Sequence, residues 1–333
     1  MSEIPKESVA VLGAGGWGLA LSSLLLTHSH RVRIWGRDPA HVLQMQRERR
    51  NRSALPGYEF EPGLEVTSDP EAAVAGASWV IVTIPAQFVR ATLSPFKGLL
   101  APSVPVVTGT KGLEIGTLLR PTEVLRDALG PHPYAILSGP SHAEEITAGL
   151  PASVTAAAPE PALANAVRDL FASPRIRVYT SDDLVGVEFA GALKNVMAIA
   201  AGVCDGLALG DNAKAALVTR ALAEMSRFGV ARGAKLETFS GLAGIGDLMT
   251  TCYSKHGRNR AVGERLGRGE APAAILGGSS QIAEGVWTAK ALHDAGAATP
   301  AAMPIAAEVY AILYEGKPPR ASVADLMSRP PRN

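Results

Sequence analysis

Lys194 lies in the apolar stretch Leu184–Val203, whose only other charged side chain is Glu188. At helical spacing its neighbours are Ala190, Gly191, Met197 and Ala198. An ammonium among small apolar groups is partly desolvated, which lowers its pKa and suits it to general acid–base work near neutrality. A lysine snorkelling from the edge of a core helix would read the same way. Further on, Gly241, Gly244 and Gly246 lead into Asp247. That carboxylate either caps the next helix or accepts a hydrogen bond from a substrate hydroxyl or a lysine. Lys255, His256, Gly257, Arg258, Asn259 and Arg260 follow. Such a run is an ordinary solvated face, yet behind a glycine-rich loop the Arg258 fork with Asn259 also suits a phosphate.

A second constellation opens the chain. Val9–Leu12 is an apolar strand that runs into Gly13-Ala-Gly15-Gly16-Trp17-Gly18, with the apolar run Leu19–Leu26 behind it as a helix. In this G-x-G-x-x-G pattern Gly13 permits the tight turn, Gly15 lets a pyrophosphate approach the backbone, and Gly18 allows helix and strand to pack closely. Free amides at the helix start face the phosphates. The pattern predicts a dinucleotide site. Cofactor choice rests on the end of the second strand, Trp35-Gly36-Arg37-Asp38. Arg37 suits a 2′-phosphate and favours NADP over NAD, and Asp38 beside it blurs the distinction. Arg47, Arg49, Arg50 and Arg52 add positive charge nearby, or line an exposed helix face.

Two further anchors follow predicted strands. Thr110-Lys111-Gly112 comes after Val104–Thr108, on the edge where doubly wound sheets bind ligands. Ser138-Gly139-Pro-Ser141-His-Ala143-Glu144 comes after Tyr134–Leu137. Ser141 and Glu144 fit a capping box, and the same helix start offers amides to an anion.

The elements that position these residues change character along the chain. Strand-like runs at 9–12, 31–35, 79–84, 104–108, 134–138, 153–157 and 175–179 alternate with Ala/Leu-rich segments such as 40–50 and 121–129. Alternation of this kind predicts an α/β doubly wound sheet. After about residue 182 only helix-length segments remain, at 184–203, 212–231, 258–268, 282–295 and 302–313, with Asp211 as a candidate N-cap. The expected organisation is a dinucleotide-binding domain over 1–184 and an all-helical substrate domain over 185–333, ending in a frayed Pro-rich tail from Arg329.

Composition narrows the function classes. With 32 basic and 31 acidic residues, no global field favours nucleic acid or an anionic membrane surface. There is no signal-like start and no uninterrupted apolar run of membrane-spanning length, so a cytoplasmic location is expected. Cys204 and Cys252 are far apart and read as inert thiols. The seven histidines show no ligand spacing, so no metal is expected. His28 and His30 end the first helix, where a cation suits the dipole.

Taken together the motifs resemble the bacterial-type NAD(P)-dependent glycerol-3-phosphate dehydrogenase family. The resemblance rests on G-A-G-G-W-G, L-P-G at Leu55–Gly57, T-K-G-L-E at Thr110–Glu114, and S-G-P-S at Ser138–Ser141. It continues with G-A-L-K-N at Gly191–Asn195, G-x-G-D-L ending at Leu248, and R-N-R at Arg258–Arg260. It covers about residues 8–325. It implies a Rossmann-type sheet followed by a helical domain, and reversible hydride transfer between a nicotinamide and dihydroxyacetone phosphate. The product, sn-glycerol 3-phosphate, would feed glycerophospholipid synthesis, and the usual assembly would be a homodimer. By resemblance Lys194 is the proton donor and acceptor, and Lys111 touches both substrate and cofactor. Gly139, Ser141, Asp247, Gly257, Arg258 and Asn259 join Lys111 and Lys194 at the substrate. Gly16, Trp17, Arg37, Ala143, Arg258, Ile282 and Glu284 join the glycines of the turn at the cofactor. Gly16 and Gly257 stand where the family often has Ser, and His142 where it often has an aromatic. The alternatives are another two-domain dehydrogenase of the β-hydroxyacid or 6-phosphogluconate type, or a non-catalytic NADPH-sensing module.

Overall fold

The structure, a computed structural model, describes residues 6–28, 30–277, 283–297 and 302–330. The chain divides into two compact units: Met1–Thr110 with Pro121–Leu184, and Lys111–Arg120 with Val185–Asn333. The short segment Lys111–Arg120 therefore belongs with the helical unit, although it lies well before residue 185 in sequence.

The first unit is built on β1 (Ser8–Leu12), β2 (Arg31–Trp35), β3 (Leu64–Thr67), β4 (Trp79–Val82), β5 (Val106–Thr108), β6 (Tyr134–Ser138), β7 (Ala152–Ala157) and β8 (Ile176–Ser181). Their order in the sheet is β3-β2-β1-β4-β5-β6-β7-β8, and every neighbouring pair is parallel except β6 with β7. The first six strands thus reproduce the 3-2-1-4-5-6 order, in which the chain reverses direction of growth between β1 and β4. β4 and β6 are buried at every position. That is why they read as unbroken apolar runs rather than alternating ones. The helices here are α1 (Gly16–Thr27), α2 (Pro39–Glu48), α3 (Pro70–Val74), α4 (Val89–Leu93), α5 (Pro121–Leu129), α6 (Ala143–Thr147) and α7 (Pro161–Phe171). His30 is buried at the end of the α1–β2 connection and its Nδ1 accepts from the Glu7 amide. Burial lowers its pKa, so it is neutral and does not serve α1 as a cation, contrary to the sequence expectation.

In the second unit α8 (Leu184–Gly206) is the central helix. It is the one helix among the described residues long and apolar enough to cross a membrane, although Glu188 and Lys194 interrupt its apolar run. Yet 94% of its apolar 18-residue window is buried inside the protein, as expected of a core helix that is apolar all round. Around it lie α9 (Gly210–Val230), α10 (Leu236–Phe239), α11 (Asp247–Tyr253), α12 (Arg258–Gly267), α13 (Pro272–Gly277), α14 (Glu284–Asp294), α15 (Pro304–Tyr314) and α16 (Pro319–Ser328). Asp211 is not the N-cap of α9: that position is Leu209, and Asp211 sits inside the first turn with no side-chain cap bond. Of the expected frayed tail, Arg329 and Pro330 follow α16, and 331–333 lie outside the described residues.

Backbone contact fixes how α12 docks. A Cβ on Gly263 would fall 1.9 Å from the Ile199 carbonyl oxygen, and one on Gly202 would fall 2.0 Å from that of Arg260. Gly206 and Gly267 repeat the contact one turn on. No side chain larger than hydrogen fits, so α8 and α12 touch along their main chains.

Candidate active site

Each unit carries its own part of the predicted machinery. In the first unit, the turn after β1 has the required shape. Gly13 has φ +121°, and a Cβ on Gly18 would lie 2.0 Å from the Gly13 carbonyl oxygen. Two polar side chains that sequence reading missed hold this turn. Thr83, just past β4, donates its hydroxyl to the Gly13 carbonyl at 2.9 Å, and buried Asn51 donates to that of Ala14 at 2.8 Å. Neither has a local signal, because each acts across the chain from a strand end or a loop.

Gly15 differs from its neighbours: among the described residues, its two chain neighbours aside, no atom lies within 4 Å of where its Cβ would be, and its φ of −76° suits any residue. The protein itself does not need glycine there. The open space lies at the N-cap of α1, where a pyrophosphate would meet unpaired helix amides. Trp17 adds a buried indole N–H with no hydrogen-bond partner among the described residues. Both observations fit a dinucleotide. A Cβ on Gly16 would sit 3.1 Å from the Ala54 carbonyl oxygen and 3.7 Å from the Ala143 methyl. A side chain at this position would require the Ala54 carbonyl to give by a few tenths of an ångström.

Arg37, at the end of β2, is exposed and makes no hydrogen bond or ion pair among the described residues. Asp38 instead N-caps α2, accepting from the Ala40 amide at 2.9 Å. Arg49, Arg50 and Arg52 are engaged locally, the first with loop carbonyls and the others with Glu59 and Glu48. The capping box at Ser141 is not formed. α6 starts at Ala143 behind His142, and the Ser141 hydroxyl donates to the Gly139 carbonyl at 2.8 Å. Gly139 has φ +132°, so this tight turn takes the hydroxyl that a cap would have used.

The second unit gathers the ionisable groups. Lys194 Nζ donates to Asp247 Oδ1 and to Thr251 Oγ1, both at 2.6 Å. Lys111 Nζ donates to the other oxygen, Asp247 Oδ2, at 2.7 Å. The Thr251 hydroxyl in turn donates a hydrogen bond to the Asp247 carbonyl at 2.7 Å. Lys194 is 6% exposed, so it is not a snorkelling lysine, and Asp247 at 1% is not a helix cap but the shared anion between two cations. Thr251 was missed, although its four-residue spacing from Asp247 on α11 would have put both on one helix face.

Burial lowers the Lys194 pKa to about 8, with Lys111 adding to the fall and Asp247 opposing it. Burial acts to raise the Asp247 pKa, but the two lysines outweigh it and hold the carboxyl below its ordinary value. An ammonium has three N–H groups. Lys194 uses two of them among the described residues, on Asp247 and Thr251, and the third is available to a further acceptor.

Three contacts seat Lys111 beside this cluster. Asn195 Nδ2 donates to the Lys111 carbonyl at 2.8 Å, Leu113 is buried in the helical core, and Arg120 pairs with Glu188 on α8. Glu188, read only as the other charge on the helix, is therefore an anchor for this segment. Gly257 is the N-cap of α12, and a Cβ there would lie 2.9 Å from the Thr251 carbonyl oxygen, so a larger residue would push α11 and α12 apart. Arg258 opens α12, exposed and without an intramolecular hydrogen bond among the described residues. Asn259 is buried and engaged at both ends, donating to Asn195 Oδ1 at 3.0 Å and accepting from the Gly285 amide at 2.9 Å. Gly285 itself lies against the Asn195 carbonyl, where a Cβ would be 2.4 Å away. Thus α12 and α14 both dock on the turn of α8 that carries Lys194. Glu284 begins α14, and Ile282 lies outside the described residues. Cys204 and Cys252 are both free and buried, and burial pushes the Cys252 thiol up to about 12.

Comparison with known proteins follows this division. The profile described as NAD-dependent glycerol-3-phosphate dehydrogenase N-terminus matches residues 8–164, and that for the C-terminus of the same family matches 183–324. The chain belongs to the NAD-dependent glycerol-3-phosphate dehydrogenase family. It is 46% identical over 325 residues to the glycerol-3-phosphate dehydrogenase [NAD(P)+] of Moorella thermoacetica, covering 98% of this chain and 97% of that one. Identity to the protein of the same name from Geobacter sulfurreducens is 44% over 327 residues, covering 97% and 98%. The crystal structure of glycerol-3-phosphate dehydrogenase from Coxiella burnetii superposes with a TM-score of 0.92 at 38% identity, covering 97% of this chain and 99% of that one. As a member of this family the protein is an oxidoreductase whose cofactor is NAD or NADP and whose substrate is a small phosphorylated molecule. A D-mandelate dehydrogenase, at 13% identity and a TM-score of 0.64, shares the fold alone. The reading as a different two-domain dehydrogenase is not favoured.

Proposed function

We propose that this enzyme reversibly reduces dihydroxyacetone phosphate to sn-glycerol 3-phosphate, with Lys194 as the proton donor in reduction and the acceptor in oxidation. The observation that carries the reading is the Lys111–Asp247–Lys194 cluster: one buried carboxylate between two ammonium groups, with a single Lys194 N–H left over. In reduction that N–H points its proton at the C2 oxygen and gives it up as the carbonyl becomes an alkoxide. In oxidation the neutral amine takes the proton from the C2 hydroxyl. The nicotinamide, when bound, supplies the hydride in one direction and removes it in the other. Lys111, partly exposed, lends a second positive charge where negative charge develops on the substrate oxygen. The Arg258 guanidinium, unpaired at the start of α12, takes the phosphate together with the Gly257 and Asn259 backbone. By family pattern Gly139 and Ser141 also belong to the substrate.

The cofactor reading uses Gly13, Gly15, Gly16, Trp17 and Gly18, with Ala143, Lys111, Arg258, Ile282 and Glu284 by family pattern. NADP is favoured over NAD because Arg37 is uncommitted while Asp38 is taken up in capping α2. A homodimer, a cytoplasmic location and supply of glycerophospholipid synthesis complete the proposal. The test is loss of nicotinamide absorbance with dihydroxyacetone phosphate, run with NADPH and NADH in parallel. Rapid loss, faster with NADPH, is expected. No loss with either, in folded protein that still binds NADPH, would overturn the reading.

A further inference from the structure

Arg258 is the proposed phosphate ligand, yet its guanidinium is held by no other side chain among the described residues. Its direction is therefore set by the backbone at the start of α12 and by the four residues, Ser254 to Gly257, that join α11 to α12. Within that turn the His256 amide donates to the Ser254 hydroxyl at 3.0 Å, and the Ser254 carbonyl ties the turn to α12. The Ser254 carbonyl accepts from the Gly257 amide at 3.3 Å and from Arg260 Nε at 3.0 Å. The Arg260 guanidinium is gripped from its other side by Asp205, near the end of α8, with Nη1 2.7 Å from Oδ2. It also meets Glu264 at 3.2 Å, one turn along α12. Asp205 is held in turn by Lys214 of α9, whose Nζ lies 2.9 and 2.8 Å from its two oxygens and 4.5 Å from the Tyr253 ring centroid. Lys214 is buried, and the Asp205 and Arg260 side chains are no more than a quarter exposed.

We infer that Asp205 and Arg260 are positioning residues for phosphate recognition, fixing the turn that aims Arg258 without touching the substrate. Docking of α12 does not depend on them, because the main-chain contacts at Gly202, Gly206, Gly263 and Gly267 set the distance between the helices. What the glycines leave open is the course of the turn before α12, and that is what the Asp205–Arg260–Ser254 chain defines. A guanidinium displaced by about 1 Å would cost up to about 100-fold in a reaction that depends on its placement. This inference rests on the proposed role of Arg258 and goes beyond it.

The experiment compares kcat/KM for dihydroxyacetone phosphate and for unphosphorylated dihydroxyacetone in four proteins: unaltered, Asp205→Asn, Arg258→Ala and the double variant. Asp205→Asn should lower kcat/KM about tenfold or more for the phosphorylated substrate, mainly through KM, and leave that for dihydroxyacetone within about twofold. On the Arg258→Ala background it should change neither, because its route of action is gone. Equal losses on both substrates, or full additivity with Arg258→Ala, would overturn the inference and leave Asp205 a purely structural ion. If Arg258→Ala alone does not alter the ratio of the two substrates, the phosphate role of Arg258 fails first and the positioning role fails with it. Should Asp205→Asn not fold, Arg260→Lys serves: it keeps a cation beside Asp205 and gives up the bond to the Ser254 carbonyl, and it should show the same split.

Discussion

Replacing Asp247 by Asn removes one negative charge from between two ammonium groups while keeping the shape of the side chain. Its carboxylate oxygens lie 2.6 Å from Lys194 Nζ and 2.7 Å from Lys111 Nζ. Asp247 is the main influence that keeps the Lys194 pKa from falling further under burial and the charge of Lys111. Taking that influence away must therefore move the Lys194 pKa downward from about 8. At an effective dielectric of about 20 a unit charge at 4 Å contributes about 4 kcal/mol, against about 1.36 kcal/mol per pKa unit. Relaxation and water reaching the partly exposed Lys111 side reduce this, so a fall of about one to two units is expected. The assay is kcat for glycerol 3-phosphate oxidation at saturating substrates from pH 6 to pH 10, where activity requires the neutral amine. The acid limb of the profile should shift to lower pH by at least about one unit. A limb that stays in place, or moves to higher pH, would refute the assignment of Lys194 as the titrating group held by Asp247.

Other perturbations have equally definite outcomes. Gly15→Ala should leave the melting temperature unchanged, because the added methyl meets no protein atom, but should weaken NADPH binding about tenfold or more, read by fluorescence titration. Gly263→Ala drives a methyl to 1.9 Å from the Ile199 carbonyl oxygen and should cost about 1–3 kcal/mol in denaturant unfolding, with reduced kcat/KM because α12 is displaced. Glu224, buried under α15 and accepting from the amides of Ile305 and Ala306, has its pKa pushed up by burial to about 7. The folded state then holds more protons than the unfolded state between pH 4.5 and about 7, so stability falls across that window as pH rises. Glu224→Gln should remove this slope, worth at most about 3 kcal/mol, as seen by comparing melting temperatures at pH 5 and pH 8.

Much of the fold was legible because buried parallel strands and core helices leave simple patterns. β2 and β6 coincide with their sequence ranges, and the change from strands to helices after residue 182 was visible in composition alone. What escaped was short or marginal. β3 is a four-residue edge strand with alternating burial, too brief to rise above its loop. α7 is an alanine-rich helix that begins with Pro161, and α16 begins with Pro319. Local pattern misjudged caps, because Ser141 and Asp211 have the right residue types but tertiary turns decide where each helix starts. At the site, Lys194 and Asp247 stood out as charges in apolar or glycine-rich company. Thr251, Asn51 and Thr83 did not, since a lone hydroxyl or amide acts only through partners brought in by folding. The α8–α12 contact was missed despite a signal, the paired G-x-x-x-G spacings at Gly202–Gly206 and Gly263–Gly267. The membership of Lys111–Arg120 in the helical unit has no local signature, because it depends on Asn195 and Glu188 far along the chain.

The central claim is that Lys194 moves the proton, and Lys194→Met tests it most directly, since the thioether side chain occupies similar space without an ionisable group. Steady-state reduction of dihydroxyacetone phosphate and NADPH affinity would be measured on the same folded sample. Turnover should fall by about 100- to 10,000-fold with NADPH affinity within about twofold of the unaltered enzyme. Turnover near normal at intact NADPH binding would contradict the claim and require another proton donor.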